Sequence, residues 1–223
     1  MINDKAIVLL SGGLDSATCL YWAKNQKYDI YALTLNYYDR WIREIESARQ
    51  LSKNVNVKLI EVEIPFVKEA FNVLGYEGEY VKDGDVRWPF YIPVKNLMFY
   101  SIAAHYAEYM NAKWIVGGHN KQDMEFYTDT TKDYIYTLNR LFRDGCMLCD
   151  NSYYEIKTPL VELDRLQVIK FAMDIHVPLE MTWSCHRKTE KHCGKCHGCK
   201  SRMEAFKALG TKDPVEYEFS VTR

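Results

Sequence analysis

Residues 6–16, Ala-Ile-Val-Leu-Leu-Ser-Gly-Gly-Leu-Asp-Ser, restrict what this chain can fold into more than any other stretch. Five successive apolar residues read as a strand buried on both faces, as in a parallel sheet. A polar turn with two glycines follows at once. From Ser16 onward, Ala17, Leu20, Tyr21 and Ala23 recur at helical spacing, so the turn leads into a helix N-terminus whose free backbone N–H groups attract an anion. Gly12 and Gly13 permit positive φ and close approach, and the hydroxyls of Ser11 and Ser16 suit phosphate oxygens. The lysine of the G-x-x-x-x-G-K-[ST] loop is missing. Asp15 stands in the turn instead, a carboxylate suited to a magnesium ion that accompanies phosphates.

The pattern after this turn repeats. Residues 29–35 read as a second strand, 43–51 as a helix and 57–64 as a third strand with alternating polarity. Residues 74–89 hold four Gly or Pro and many charges, which predicts a loop or lid. Pro93 precedes a predicted helix over 95–110 whose Ala103, Ala104 and Ala107 form a small-residue face, and 114–118 reads as a strand ending in Gly117-Gly118. Further on, the pattern predicts a helix over 131–142, a short strand over 154–158, a helix over 164–174 capped by Asp164, and a last helix over 200–209 stopped by Gly210. Alternating strands and helices imply an α/β fold, a Rossmann-like doubly wound parallel sheet, here with a C-terminal helical zinc-binding segment. The expected division is a nucleotide-binding domain over 1–160 and the C-terminal segment over 161–223. Ligands of such sheets lie beyond the carboxyl ends of the strands, so Thr34 and Leu35 belong beside the glycine turn.

The formal net charge of −1 disfavours a general nucleic-acid clamp, so no nucleic-acid partner is expected. No stretch has the length and apolarity of a membrane span or secretory leader, and a cytoplasmic enzyme is expected. In that compartment the seven cysteines are metal ligands or thiols rather than structural disulfides. Cys185-x7-Cys193-x2-Cys196-x2-Cys199 brings four thiolates within reach of one centre, the spacing of a structural, closed zinc site. An iron–sulfur cluster or redox thiols are the alternatives, and His186, His192 and His197 are alternative ligands. Cys146-x2-Cys149 stands apart and reads as two partly buried thiols, with a redox couple or a half metal site as the alternatives, and Cys19 as a core residue.

The hexapeptide Ser11 to Ser16 resembles the pyrophosphate loop of the ATP pyrophosphatases. Together with Pro93-Val94-Lys95-Asn96, Ser101-Ile102-Ala103-Ala104, Gly118-x-Asn120-x-x-Asp123, Thr158-Pro159-Leu160, Thr182-Trp183-Ser184-Cys185, Cys193-Gly194-Lys195-Cys196 and Arg202-x-x-Ala205-Phe206, it makes the chain similar nearly end to end to the 7-cyano-7-deazaguanine synthase family. The resemblance implies an ATP-dependent carbon–nitrogen ligase that adenylates a small deazapurine acid, takes ammonia to form an amide, and spends a second ATP to form the nitrile. It implies ATP, Mg2+ and structural Zn2+, and a homodimer. Asp15, Ser16, Lys95 and Asp123 would be catalytic. Leu10, Ser11, Gly12, Gly13, Leu14, Asp15, Ser16, Thr34, Leu35, Arg40, Asn96, Gly117 and Gly118 would bind the nucleotide, and Cys185, Cys193, Cys196 and Cys199 the metal.

Two stretches depart from the family pattern. Where it has Asp-Tyr-Gly-Gln-Arg-His, this chain reads Asn36-Tyr37-Tyr38-Asp39-Arg40-Trp41; where it has Gly-Tyr-Pro-Asp-Cys, this chain reads Phe126-Tyr127-Thr128-Asp129-Thr130. Lys95 replaces an arginine and so loses the two-pronged donor. A relative that stops at the amide or uses another amine acceptor, a tRNA sulfur-transferase of the same superfamily, and a zinc-knuckle module on an inactive nucleotide fold are the competing readings.

Overall fold

A computed structural model describes residues 4–37, 40–74, 80–82, 85–88, 92–147 and 154–218, with side chains described outside 70–91. Five parallel strands form the central sheet: β1 (Lys5–Leu9), β2 (Asp29–Tyr37), β3 (Lys58–Ile64), β6 (Trp114–Val116) and β7 (Glu155–Lys157), in the order β3-β2-β1-β6-β7. The chain builds outward from β1 through β2 to β3, then returns to place β6 on the other side of β1. That reversal puts the switch point between β1 and β6, where loops diverge and leave a crevice at the carboxyl ends of the strands.

Alternate residues of β1 face opposite layers. Ala6 and Val8 pack with α1 (Leu14–Asn25), α2 (Ile42–Asn54), α7 (Arg165–Asp174) and α8 (His197–Ala208) through Ala17, Leu20, Leu51, Val168, Ile169 and Phe206. Ile7 faces the second layer, where α3 (Pro65–Leu74), α4 (Lys95–Met110) and α6 (Lys132–Gly145) contribute Val67, Ala103, Ala104, Ala107, Ile135 and Leu138. Both faces of β1 are therefore buried, which explains why its sequence is an unbroken apolar run. The alanine face on α4 lets that helix sit close to the sheet.

The expected strands and the helix over 95–110 are all present. The first helix begins at Leu14 rather than Ser16, and the last at His197 rather than residue 200. Asp164 caps α7 in a capping box with Gln167, and Gly210 after α8 has φ of +66°. Two helices were not anticipated from the pattern: α3, and the short α5 (Lys121–Phe126). A 3-10 turn over Thr128–Thr130 follows α5, and another spans Leu179–Met181. The region expected to be a loop or lid over 74–89 carries an antiparallel hairpin of β4 (Tyr80–Lys82) and β5 (Asp85–Trp88); the rest of it lies outside the described residues. Cys19 is fully buried in the core, as expected. Cys146 is half-buried and disulfide-bonded, so the expectation of separate thiols fails there, and Cys149 lies outside the described residues.

Candidate active site and metal centre

The glycine turn closes the gap between β1 and α1 with a small hydrogen-bond network. Ser16 Oγ accepts from the Ser11 N–H at 3.2 Å and donates to the Gly13 carbonyl at 3.0 Å, and it lies 3.0 Å from Ser11 Oγ. The two hydroxyls expected to face phosphate are thus already oriented by each other. Gly12 adopts φ of +91°, and a Cβ there would fall 2.3 Å from the Glu44 carbonyl on α2, so no other residue fits. Gly118, at the end of β6, packs against the backbone of Asp15 and Ser16, where a Cβ would sit 3.1 Å away. Gly117 makes room for the Tyr100 phenol. Leu10 and Leu14 are buried core residues and shape the turn through their backbone.

Arg40 binds the turn to the tip of β2. Its guanidinium donates to Thr34 Oγ1 at 2.7 Å, to the Leu35 carbonyl at 3.2 Å and to Asn36 Oδ1 at 3.3 Å; it also donates to the Ser11 carbonyl and pairs with Glu44 at 3.0 Å. Arg40 thus joins Ser11 of the glycine turn to Thr34 and Leu35 at the tip of β2.

Asp15 lies in the first turn of α1 and is held from two sides. Its Oδ1 accepts from Arg165 at 2.6 Å and its Oδ2 from Asn120 Nδ2 at 3.2 Å. Asn120 caps α5, with its Oδ1 accepting from the N–H groups of Gln122 and Asp123, while Asp123 Oδ2 accepts from the Asn120 N–H at 2.9 Å. Burial and the neighbouring charge of Asp15 push the Asp123 carboxyl up to about 6. Arg165 was missed at the sequence level. It occupies the first helical position of α7, where a cation is disfavoured by the helix dipole, and that placement was the available signal.

Lys95 and Asn96 open α4. Val94 before them has φ of +49°, a left-handed conformation costly for a β-branched residue, and it places both residues at the crevice. The Asn96 N–H donates to Asp129 Oδ2 at 3.2 Å, and the Lys95 ammonium stands 5.9 Å from the centre of the Tyr127 ring. Burial lowers the Lys95 pKa, against the opposing pull of Asp129 and Asp123. Beside them, Tyr100 Oη and His119 Nε2 are buried without a hydrogen-bond partner among the described residues, their rings 5.7 Å apart. Burial, then the charge of Lys95, lowers His119 to about 4, so it is a neutral imidazole.

The four cysteines form the second centre. Their sulfurs all lie within 4.8 Å of one another, with Cys185 to Cys196 and Cys193 to Cys199 each at 4.0 Å. Backbone N–H groups point at the sulfurs: Arg187 and Cys193 toward Cys185, Lys195 and Cys196 toward Cys193, and His186 toward Cys196, all at 3.3–3.4 Å. Such donors stabilise thiolates, so the donor set fits a tetrahedral zinc ion with no open position. His192 is not a fifth candidate ligand, because its Nε2 accepts from the Ser184 N–H at 3.1 Å.

A parallel sheet with a phosphate-type glycine turn at its switch point and a cysteine knuckle behind it defines an α/β nucleotide-binding fold of the ATP-pyrophosphatase kind. Solved structures share this fold at low identity. The NMN synthetase of Francisella tularensis superposes with a TM-score of 0.53 at 19% identity, covering 94% of this chain and 79% of that one. The NH3-dependent NAD synthetase of Campylobacter jejuni gives 0.50 at 16%, covering 81% and 68%. The chain belongs to the family of the queuosine biosynthesis protein QueC, whose profile matches residues 5–210. Curated relatives include the 7-cyano-7-deazaguanine synthases of Clostridium kluyveri, 34% identical over 96% of this chain and 98% of that protein, and of Trichodesmium erythraeum, 35% identical over 95% and 99%.

Proposed function

We propose that this chain converts 7-carboxy-7-deazaguanine and ammonia to 7-cyano-7-deazaguanine at the expense of ATP. The observation that carries the reading is the arrangement of the Asp15 carboxylate at the N-terminus of α1, held by Asn120 and Arg165, in a chain of this family. In this reading the substrate carboxylate attacks the α-phosphate of ATP and pyrophosphate leaves. The N–H groups of the α1 N-terminus and the hydroxyls of Ser11 and Ser16 stabilise the charge growing on that leaving group, which makes catalysis chiefly positioning and electrostatics. Asp15 supplies a carboxylate suited to a magnesium ion, which would neutralise phosphate charge when bound. Arg165 neutralises Asp15 in its absence.

Ammonia then displaces AMP from the adenylate, and the proton lost as the carbon–nitrogen bond forms needs an acceptor. Asp123, with its carboxyl raised to about 6, can take and return a proton near neutral pH. The amide oxygen attacks the α-phosphate of a second ATP and displaces pyrophosphate; loss of AMP and the two remaining nitrogen-bound protons leaves the nitrile. Lys95 would hold the negative charge of the acid or phosphate as a point charge. Residues 1–160 supply most of this machinery and 161–223 the metal knuckle, with Arg165 reaching back across the division. A homodimer and a cytoplasmic location accompany the reading through the family. Among the described residues, no helix is long and apolar enough to cross a membrane.

Mass spectrometry of products from ATP, 7-carboxy-7-deazaguanine and ammonia tests the proposal, since acid, amide and nitrile differ in mass. Nitrile with AMP and pyrophosphate is the expected result. Amide alone would shift the assignment to an amide-forming relative, and an absence of acid-dependent AMP release would overturn it.

A further inference from the structure

The metal knuckle touches the phosphate turn directly. The Trp183 N–H donates to the Gly12 carbonyl at 2.9 Å, and a Cβ on Gly13 would stand 3.6 Å from the Trp183 carbonyl. Trp183 lies two residues before the first cysteine and is tied to it, because its indole Nε1–H donates to the Cys185 carbonyl at 2.8 Å; its ring also lies against His192, tilted by 39° with centroids 4.5 Å apart. A second link runs through the start of α2. Trp41, the residue before that helix, donates its Nε1–H to the Thr189 carbonyl at 3.0 Å, and Arg43 pairs with Glu190. Thr189 Oγ1 is itself 3.6 Å from Cys185 Sγ. The same helix presents the Glu44 carbonyl against Gly12 and the Glu44 carboxylate to Arg40, which reaches Ser11. Residues 11–13 are therefore gripped from two sides, and both grips end in the stretch 183–190.

That stretch has no regular secondary structure of its own between Trp183 and the start of α8. Apart from Trp183 and Tyr217, the apolar side chains packed in its core are the metal-ligating cysteines themselves. An ion bound by the four thiolates would therefore add to the order that the Trp41, Arg43, Arg202 and Tyr217 contacts already give this stretch, since metal binding free energy contributes to folding free energy. A ligand that orders the knuckle also fixes the donor to Gly12, and an anion that fixes the turn also favours the ordered knuckle.

We infer that the zinc site and the phosphate turn are thermodynamically coupled through Trp183 and Trp41, so that each ligand tightens the other. Trp183 and Trp41 are positioning residues, and the metal holds the nucleotide loop in its binding conformation. The inference rests on the nucleotide and zinc assignments above. Coupling between sites is reciprocal in equilibrium affinity, with factors of roughly 5–150 in measured systems.

The test uses the full-length, zinc-loaded protein. Competition with a chromophoric chelator measures zinc affinity with and without a saturating non-hydrolysable ATP analogue, and calorimetry measures the analogue's affinity with and without zinc. The expected result is an increase of about 5-fold or more, equal in both directions. Trp41→Phe and Trp183→Phe each remove one N–H donor; each is expected to retain one zinc per chain and to reduce the factor. A zinc affinity unchanged by bound analogue overturns the coupling while leaving the nucleotide assignment standing. Absence of analogue binding overturns the nucleotide assignment along with the coupling, and absence of zinc from the purified protein overturns the zinc assignment along with the coupling while leaving the nucleotide assignment standing.

Discussion

Replacing Arg202 by Met isolates the strongest polar cluster beneath the metal knuckle. Arg202 on α8 is nearly inaccessible, its side chain 2% exposed, and its partner Asp213 is 8% exposed. The guanidinium donates to both Asp213 oxygens at 2.9–3.1 Å, to Thr182 Oγ1 at 2.6 Å and to the Leu179 carbonyl at 2.9 Å. Removing one partner of a buried pair typically costs about 3–5 kcal/mol, because the other charge stays buried and unpaired. Asp213 keeps two donors, the Tyr217 hydroxyl at 2.6 Å and the Val215 N–H at 3.2 Å, which places the expected cost near the lower end, about 3 kcal/mol. For a chain of this size that is a fall in Tm of roughly 6–12 °C. The assay is urea unfolding with zinc in excess, run for Arg202→Met, Asp213→Asn and the double variant. Because the two side chains share one network, the double variant should lose less than the sum of the singles, by about 1–3 kcal/mol. A loss under about 1 kcal/mol for Arg202→Met, or strict additivity, would refute the claim that this pair is desolvated and coupled.

Two further perturbations probe the site itself. The raised carboxyl of Asp123 means that between its unfolded pKa, near 4, and about 6 the folded protein binds a proton the unfolded chain has released, so stability falls as pH rises through that window and is flat above it. Asp123→Asn removes the burden; allowing for partial solvent screening, its stability relative to wild type should rise by on the order of 2 kcal/mol between pH 4 and pH 7. Parallel stability–pH curves for the two proteins would contradict this. Gly12→Ala forces a methyl to within 2.3 Å of the Glu44 carbonyl at a φ of +91°, which should cost about 2 kcal/mol or more and weaken ATP binding by at least about 10-fold. Gly145→Ala, where nothing lies within 4 Å, is the control and should move stability by less than about 1 kcal/mol.

What could be read from the sequence was what is local. The apolar run at β1, the helical spacing on α4 and the Cys-x2-Cys steps each report a contact among near neighbours, and each appears in the structure. The missed helix α3 follows β3 with no intervening loop, so its only boundary signal was Pro65 at the first helical position. Helix α5 is six residues long, too short for a periodic face, although the Asn120–Asp123 capping box was written in the chain. The site's far partners were hidden for a different reason. Arg165 meets Asp15 across 150 positions and Trp183 meets Gly12 across the whole nucleotide fold; such pairings depend on the wrapping of α7 and the knuckle back over α1, which no local pattern encodes.

The second divergent stretch, residues 126–130, keeps two residues of the family pattern, and the structure gives each a contact. Asp129 accepts the Asn96 N–H at 3.2 Å, joining the 3-10 turn to the start of α4, and Tyr127 presents its ring to the Lys95 ammonium. Phe126, which stands where the family pattern has a small residue, is 64% exposed. Lys95 thus stands between the Tyr127 ring and the Asp129–Asn96 link at the start of α4. Phe126, being exposed, can change without dismantling the Asp129–Asn96 link, whereas Thr130 is buried and its hydroxyl donates to the Tyr127 carbonyl at 2.8 Å, so a change there would disturb the turn that carries Tyr127 and Asp129.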